Sequence, residues 1–374
     1  MSIIIFLIVL GALIFVHELG HFLVAKATKM RVHEFAIGFP PKLFSKKYGE
    51  TEYTINALPL GGYVRIHGEN PTEETAQDGD SFTSKNRFSQ ALVLVAGVVF
   101  NILFAWLLLW ISIMMGFIAP AGLDAFGSDS ADQQEVLMIT GFSGEDAPAL
   151  SAGLQYRDQI KGLAANCVLN NDPVCSEAVS PVQDTEAFVE FIEENQDREI
   201  YISYTRGSQD LLAIVVPREG IVEGKKAIGV GVENVAQIQS GPIEAIGQSF
   251  VLTGFFIKET FVGLWTLISD AVRGEGSLEG VSGPVGIVGI VGGAAEVGFS
   301  YLLTLAAVIS INLAVINIFP IPALDGGRLV FVLVESIIRR PIPLKFQVWA
   351  NTIGFIALML LMLVLTVVDV KNLF

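Results

Sequence analysis

The sequence predicts a polytopic α-helical membrane protein: four transmembrane helices, a β-hairpin and one inserted α+β domain. Three observations predict this fold class. The 374 residues are 52% hydrophobic and only 16% charged, with a mean hydropathy of +0.58. Four apolar runs, at residues 3–24, 91–118, 301–319 and 347–368, are each long enough to span a bilayer. Between the second and third runs lies a stretch of soluble character that holds most of the net charge of −15, since residues 119–244 carry 7 Lys and Arg against 21 Asp and Glu. So acidic a domain excludes nucleic acid as a partner.

The first run reads as a retained helix rather than a cleaved leader, because no Lys or Arg precedes it and its apolar segment is too long. Lys26, Lys29, Arg31, Lys42, Lys46 and Lys47 follow at once, which puts that loop in the cytoplasm and the N-terminus outside. Residues 53–66 alternate in strand fashion and predict a hairpin, with 53–57 and 63–66 joined through Pro59-Leu60-Gly61-Gly62. The second run returns the chain outward. It places Gly97 and Asn101 on one helix face, a small residue for close approach and an amide for a cross-helix hydrogen bond.

The soluble stretch, residues 122–236, predicts strands at 135–142, 199–205 and 211–216 and a helix at 185–194. Cys167 and Cys175 sit in an insertion-like segment, residues 166–181. They lack zinc-site spacing and either form a disulfide or remain two thiols. Residues 241–268 are apolar but carry Lys258 and Glu259 in mid-run, so they are expected to lie on the outer membrane surface or beneath the soluble domain. The Gly-rich residues 278–298 are expected to be irregular and re-entrant. The organisation is then 1–121, two spans with a cytoplasmic loop and hairpin; 122–236, the inserted domain; 237–298, a juxtamembrane segment; and 299–374, the last two spans.

Within the first run stands His17-Glu18-Leu19-Gly20-His21. Positions i and i+4 share a helix face, so two imidazoles can meet one metal ion, and Glu18 beside them can act as general base on a water. Ionisable side chains at membrane depth are costly and point to function. A catalytic zinc takes a third protein ligand. His33 and His67 follow polar loop sequence and are weak candidates. Asp325 follows the third span at the depth of His21 and is the better one, set against the reading that it caps the helix at 326–338.

The paired motifs, His17-Glu18-x-x-His21 and Asn317…Pro320…Pro322…Leu324-Asp325-Gly326, resemble those of the site-2 protease family of intramembrane metalloproteases. Residues 147–160 resemble the core signature of bacterial PDZ domains, which one group of that family carries between its second and third spans. The resemblance implies Zn2+ held by His17, His21 and Asp325, with Glu18 as catalytic base. It also implies that Asn317 holds substrate, that Gly61, Gly62 and Tyr63 belong to a membrane-dipping hairpin, and that Gly97 and Asn101 form a small-residue motif. Further implications are a multi-pass bacterial inner-membrane protein with its PDZ-like domain outside and its active site toward the cytoplasm. Its substrates would be single-span membrane proteins, anti-sigma-factor-like regulators or remnant signal peptides, already cut once by another protease. The PDZ-like domain would bind a peptide or exclude bulky substrates. Many relatives carry two such domains in tandem, and this chain has room for one.

The rival class is a membrane scaffold or receptor whose PDZ-like domain binds peptides around a structural metal. Structural zinc is usually closed by four protein ligands, and the sequence offers three. A transporter would show an inverted repeat of broken helices, and the two halves show none.

Overall fold

The computed structural model describes residues 2–69, 78–120, 135–144, 146–165, 180–182, 184–207, 209–222, 225–274 and 281–372. In chain order these form α1 (Ser2–Ala27), β1 (Val32–Tyr48), β2 (Thr51–Ile66), α2 (Arg87–Met115), β3 (Phe117–Pro120), β4 (Glu135–Phe142), α3 (Pro148–Ser151), β5 (Gln159–Ala165), β6 (Ser180–Pro181) and α4 (Thr185–Glu194). Then come β7 (Ile200–Arg206), β8 (Gln209–Val215), β9 (Arg218–Val222), β10 (Lys225–Ala227), β11 (Val230–Ile238), α5 (Pro242–Arg273), α6 (Pro284–Val297), α7 (Phe299–Ile318), α8 (Asp325–Ile338) and α9 (Leu344–Asn372). They divide into two units. The first comprises Met1–Ser112, Ile246–Ala295 and Leu302–Phe374; the second comprises Ile113–Ala245 and Glu296–Tyr301. Cys167 and Cys175 lie outside the described residues, as does most of the insertion-like segment.

Among the described residues five helices are long and apolar enough to cross a membrane: α1, α2, α5, α7 and α9. The sequence reading counted four. The additional one is α5, where Lys258 and Glu259 pair with each other at 3.4 Å and leave the helix unbroken. Apolar side chains on these helices stay exposed, among them Ile8 on α1 and Leu363 on α9. A helix satisfies its own backbone in hydrocarbon, so lipid can cover such a face.

Residues 278–298, expected to be irregular, contain the 14-residue helix α6. Its N-terminal amides find an acceptor on α9: Asp369 takes the Gly283 N–H at 3.0 Å and the Gly286 N–H at 2.8 Å. This satisfies donors that a helix start otherwise leaves orphaned. Toward the other end of α9, Asn351 Oδ1 accepts the Ala323 N–H at 3.2 Å. Asn351 and Asp369 stand roughly 27 Å apart at a helical rise of 1.5 Å per residue. α6 therefore starts at one end of α9, and the turn before Asp325 packs toward the opposite end. Ser112 and Thr304 hydroxyls meet at 2.7 Å and join α2 to the first turns of α7.

The hairpin differs from the expected one. Residues 53–57 and 63–66 do not pair with each other across the Pro59–Gly62 turn. The start of β1 runs between them, with Phe35 opposite Tyr53 on one side and Val64 on the other, and Ala36 likewise between Thr54 and Tyr63. The far half of β1 pairs back onto Thr51–Asn56, as at Lys46 and Tyr53. The lysine-rich sequence of β1 reads as loop because its outer half is solvated and its apolar residues lack strict alternation. Its inner half is nonetheless buried, at Val32, Phe35 and Ala36. Residues 62–66 thus form an edge, paired on one side among the described residues.

In the second unit the sheet order is β3-β11-β4-β5-β7-β8, with β6 beside β5 and a separate β9–β10 pair. Its core gathers Leu137, Ile139, Leu163, Phe188, Ile192 and Ile202. α4 begins because Asp184 caps it, accepting the Ala187 N–H at 2.7 Å, and it buries Phe188 and Ile192, four apart on one face. The predicted strand at 135–142 and helix at 185–194 coincide with β4 and α4. Asp158 is fully buried and takes the Arg206 fork at 2.8 and 2.7 Å. Arg206→Gln leaves that carboxylate without its cation. The expected loss is about 3 kcal/mol, the low end for a broken buried pair because Arg206 is one-third exposed; hydrogen exchange across β5 and β7 in the full chain measures it.

Candidate active site and metal centre

α1 carries His17 and His21 one turn apart. α7 ends at Ile318, and the Pro320–Pro322 turn leads straight into α8, whose first residue is Asp325. The three side chains converge. His17 Nε2 lies 3.1 Å from Asp325 Oδ2 and 3.1 Å from His21 Nε2, and His21 Nε2 lies 3.3 Å from the same oxygen. Asp325 does not cap α8. Leu324 occupies the N-cap position and makes no side-chain cap bond, so the carboxylate is left to the histidines.

This arrangement fits a cation. His21 Nδ1 donates to the Val93 carbonyl on α2 at 2.8 Å, which leaves Nε2 with its lone pair. His17 Nδ1 faces the Asn101 amide at 3.4 Å, and the Asn101 Oδ1 atom is buried without a hydrogen-bond partner. Amide oxygen and nitrogen are assigned from the network alone. With the two exchanged, Asn101 accepts the His17 Nδ1–H. Both Nε2 atoms and the Asp325 oxygen are then acceptors facing one point, a donor set suited to Zn2+. The sequence left Asn101 open between packing and a site role, and its neighbour is now His17.

Gly97 makes the space. A Cβ there would stand 2.5 Å from His21 Nε2 and 2.6 Å from His17 Cε1. Gly326 and Gly327 do the same for the turn, since a Cβ on either would run into the carbonyls of Ile318 and Phe319 or of Ile321.

Two cavities meet at these residues. One of about 230 Å3 is lined by His17, Glu18, Asn101, Leu313, Asn317 and Asp325. The other, about 220 Å3, shares His17, Glu18 and Asp325 and extends to Tyr63, Glu69 and Arg328. Glu18 therefore faces both, and Asn317 faces the first. Tyr63 lines the second, and Gly62 is close enough that a Cβ on it would lie 3.5 Å from Glu18 Cγ. Gly61 packs against the Phe39 ring, outside both cavities. Glu69 and Arg328 form an ion pair at the second cavity.

His33 and His67 stay apart from this centre. His33 Nε2 lies 2.9 Å from His67 Nδ1, and His67 Nε2 lies 2.8 Å from Asp78. Burial, then the neighbouring His67, Arg65 and Arg31, hold His33 below the usual imidazole range. Sequence reasoning missed the Val93 carbonyl, because a backbone acceptor leaves no trace in residue type.

The chain matches peptidase family M50 over residues 5–361. It is 36% identical over 371 residues to a Synechocystis protein named as a zinc metalloprotease, covering 98% of this chain and 93% of that one. It is 33% identical over 371 residues to a Clostridium perfringens protein named in the same way, covering 99% and 98%. To the Bacillus subtilis regulator of sigma-W protease RasP it is 30% identical over 430 aligned residues, covering 100% and 99%. Fold and site together define a membrane-embedded zinc metalloprotease. The chain belongs to peptidase family M50, the site-2 protease family.

Proposed function

We propose that this zinc protease, which acts in regulated proteolysis, cuts within the transmembrane helices of single-span membrane proteins already trimmed by another protease. Anti-sigma-factor-like regulators and remnant signal peptides fit this description, and the Bacillus subtilis relative is named regulator of sigma-W protease. The observation that carries the reading is the meeting of His17, His21 and Asp325 at two cavities that Glu18 also lines.

His17, His21 and Asp325 would hold the metal. When bound, zinc supplies a Lewis acid for the scissile carbonyl and acidifies water. Glu18 takes the proton of the attacking water on its carboxylate and passes it to the leaving amine nitrogen. Asn317 donates its amide N–H to the substrate backbone or to the developing oxyanion. A helical substrate hides its peptide bonds, so it must be unwound before attack. The edge at residues 62–66, with Gly61, Gly62 and Tyr63, offers unpaired backbone beside Glu18 and holds the extended segment by strand addition.

The second unit serves as a PDZ-like extracytoplasmic domain that binds a peptide or turns away bulky substrates, and the active site opens toward the cytoplasm. α1, α2, α7 and α9 make the crossings of the inner membrane. α6 starts at the Asp369 end of α9 and so supports α5 as a helix without net crossing.

The test is cleavage of a single-span substrate by the purified protein, with zinc counted by mass spectrometry and removed by chelator. Loss and recovery of cleavage with the metal are expected, and cleavage that persists in metal-free protein overturns the reading. Asp325→Asn is expected to weaken zinc affinity by more than about 10-fold, beyond the smallest loss typical of an outer-shell partner. Equilibrium dialysis reads this directly, and unchanged affinity removes Asp325 from the ligand set.

A further inference from the structure

Away from the catalytic cavities, one buried acid ties three helix ends together. Glu335 on α8 is 8% exposed. Its Oε2 pairs with Arg87, the first residue of α2, at 2.8 Å. Its Oε1 accepts the Ile342 N–H at 2.9 Å and Gln347 Nε2 at 3.2 Å, just before and within the first turn of α9. A cavity of about 240 Å3 opens at this junction, lined by Arg87, Glu335, Ser336, Arg339, Arg340 and Pro341. Glu335 neutralises Arg87, and among the described residues no acid pairs with Arg339 or Arg340. Two guanidiniums and a hydroxyl therefore face an open space whose one carboxylate is already engaged. Arg339 ends α8 in the left-handed region, at φ 56°, where the chain turns back toward α9.

The setting selects the ligand. α2 and α9 are candidate spans, and the cavity lies where one begins and the other is about to begin. That is the depth of lipid headgroups. The same helix ends present bare apolar surface: Ile337 is 81% exposed, Ile338 59% and Trp349 69%. A soluble anion would have no use for these side chains, whereas acyl chains and an interfacial indole suit them.

We propose that this junction is a binding site for an anionic phospholipid. The phosphate sits in the forks of Arg339 and Arg340, and the acyl chains run along Ile337 and Ile338. Occupancy places the lipid at the end of α8, beside the Glu335 junction with α2 and α9, and α8 begins with Asp325.

The test titrates the full-length protein in neutral detergent with phosphatidylglycerol or phosphatidylcholine and counts retained lipid by native mass spectrometry. Phosphatidylglycerol is expected to be retained and phosphatidylcholine not. Arg339→Gln/Arg340→Gln is expected to weaken retention about 30-fold, as the removal of two charges at a headgroup surface implies. Lys371→Gln, at the far end of α9, is expected to change nothing. Zinc content reports folding. If the double variant loses zinc, Arg340→Lys decides: weaker retention upholds the site, and unchanged retention overturns it. Equal retention of both lipids, or of phosphatidylglycerol by the folded double variant, overturns the proposal. Inorganic phosphate at matched ionic strength binding as tightly as the lipid overturns the lipid assignment.

Discussion

Glu18→Gln is expected to lower turnover by about 10²–10⁴-fold, the usual worth of a positioned general base, and to leave zinc content unchanged. Glutamine keeps the shape and volume of the side chain between the two cavities, so substrate still enters. It lacks the anionic oxygen that removes the proton from water. The atoms proposed to hold the metal belong to His17, His21 and Asp325, and the substitution leaves them in place. Single-turnover cleavage with parallel metal analysis separates the two roles. A fall below about 5-fold is too small for the base assignment, and zinc loss would move Glu18 into the ligand set.

Gly97→Ala is expected to cost the metal with no change in any proposed ligand. The added methyl would stand 2.5 Å from His21 Nε2, in a place backed by the α2 backbone. Either the histidines swing away from Asp325 or α1 and α2 part. The consequence is zinc affinity reduced by about 10–100-fold, comparable to losing an outer-shell partner, and activity restored in part by excess metal. Gly11→Ala is the matched control, since a Cβ there meets nothing within 4 Å. Equal affinity in both variants would show that the helix pair yields without cost.

The centre was legible because its chemistry is concentrated. His17, Glu18 and His21 sit in one helical turn of otherwise apolar sequence, and Asp325 follows a proline-terminated span at matching depth. β4 and α4 were legible because an apolar run of strand length and the helical spacing of Ala187, Phe188, Phe191 and Ile192 both show in the sequence. β1 was not, because its exposed lysines mask a strand whose pairing is set by residues 51–66. α6 was not, because glycines that lower helix propensity in isolation are tolerated where Asp369 caps the first turn and neighbouring helices pack against it. The clearance at Gly97 and the role of the Val93 carbonyl are properties of the packed helix pair, and neither has a signature in residue type.

His17 and Asp325 are 308 positions apart along the chain. A ribosome has delivered most of the polypeptide before the carboxylate exists, and α7 is made before that carboxylate can arrive beside α1. Until then the nascent chain holds the two imidazoles without the third side chain of the candidate centre. The trio is thus among the last features of the molecule to be completed, long after both histidines have been made.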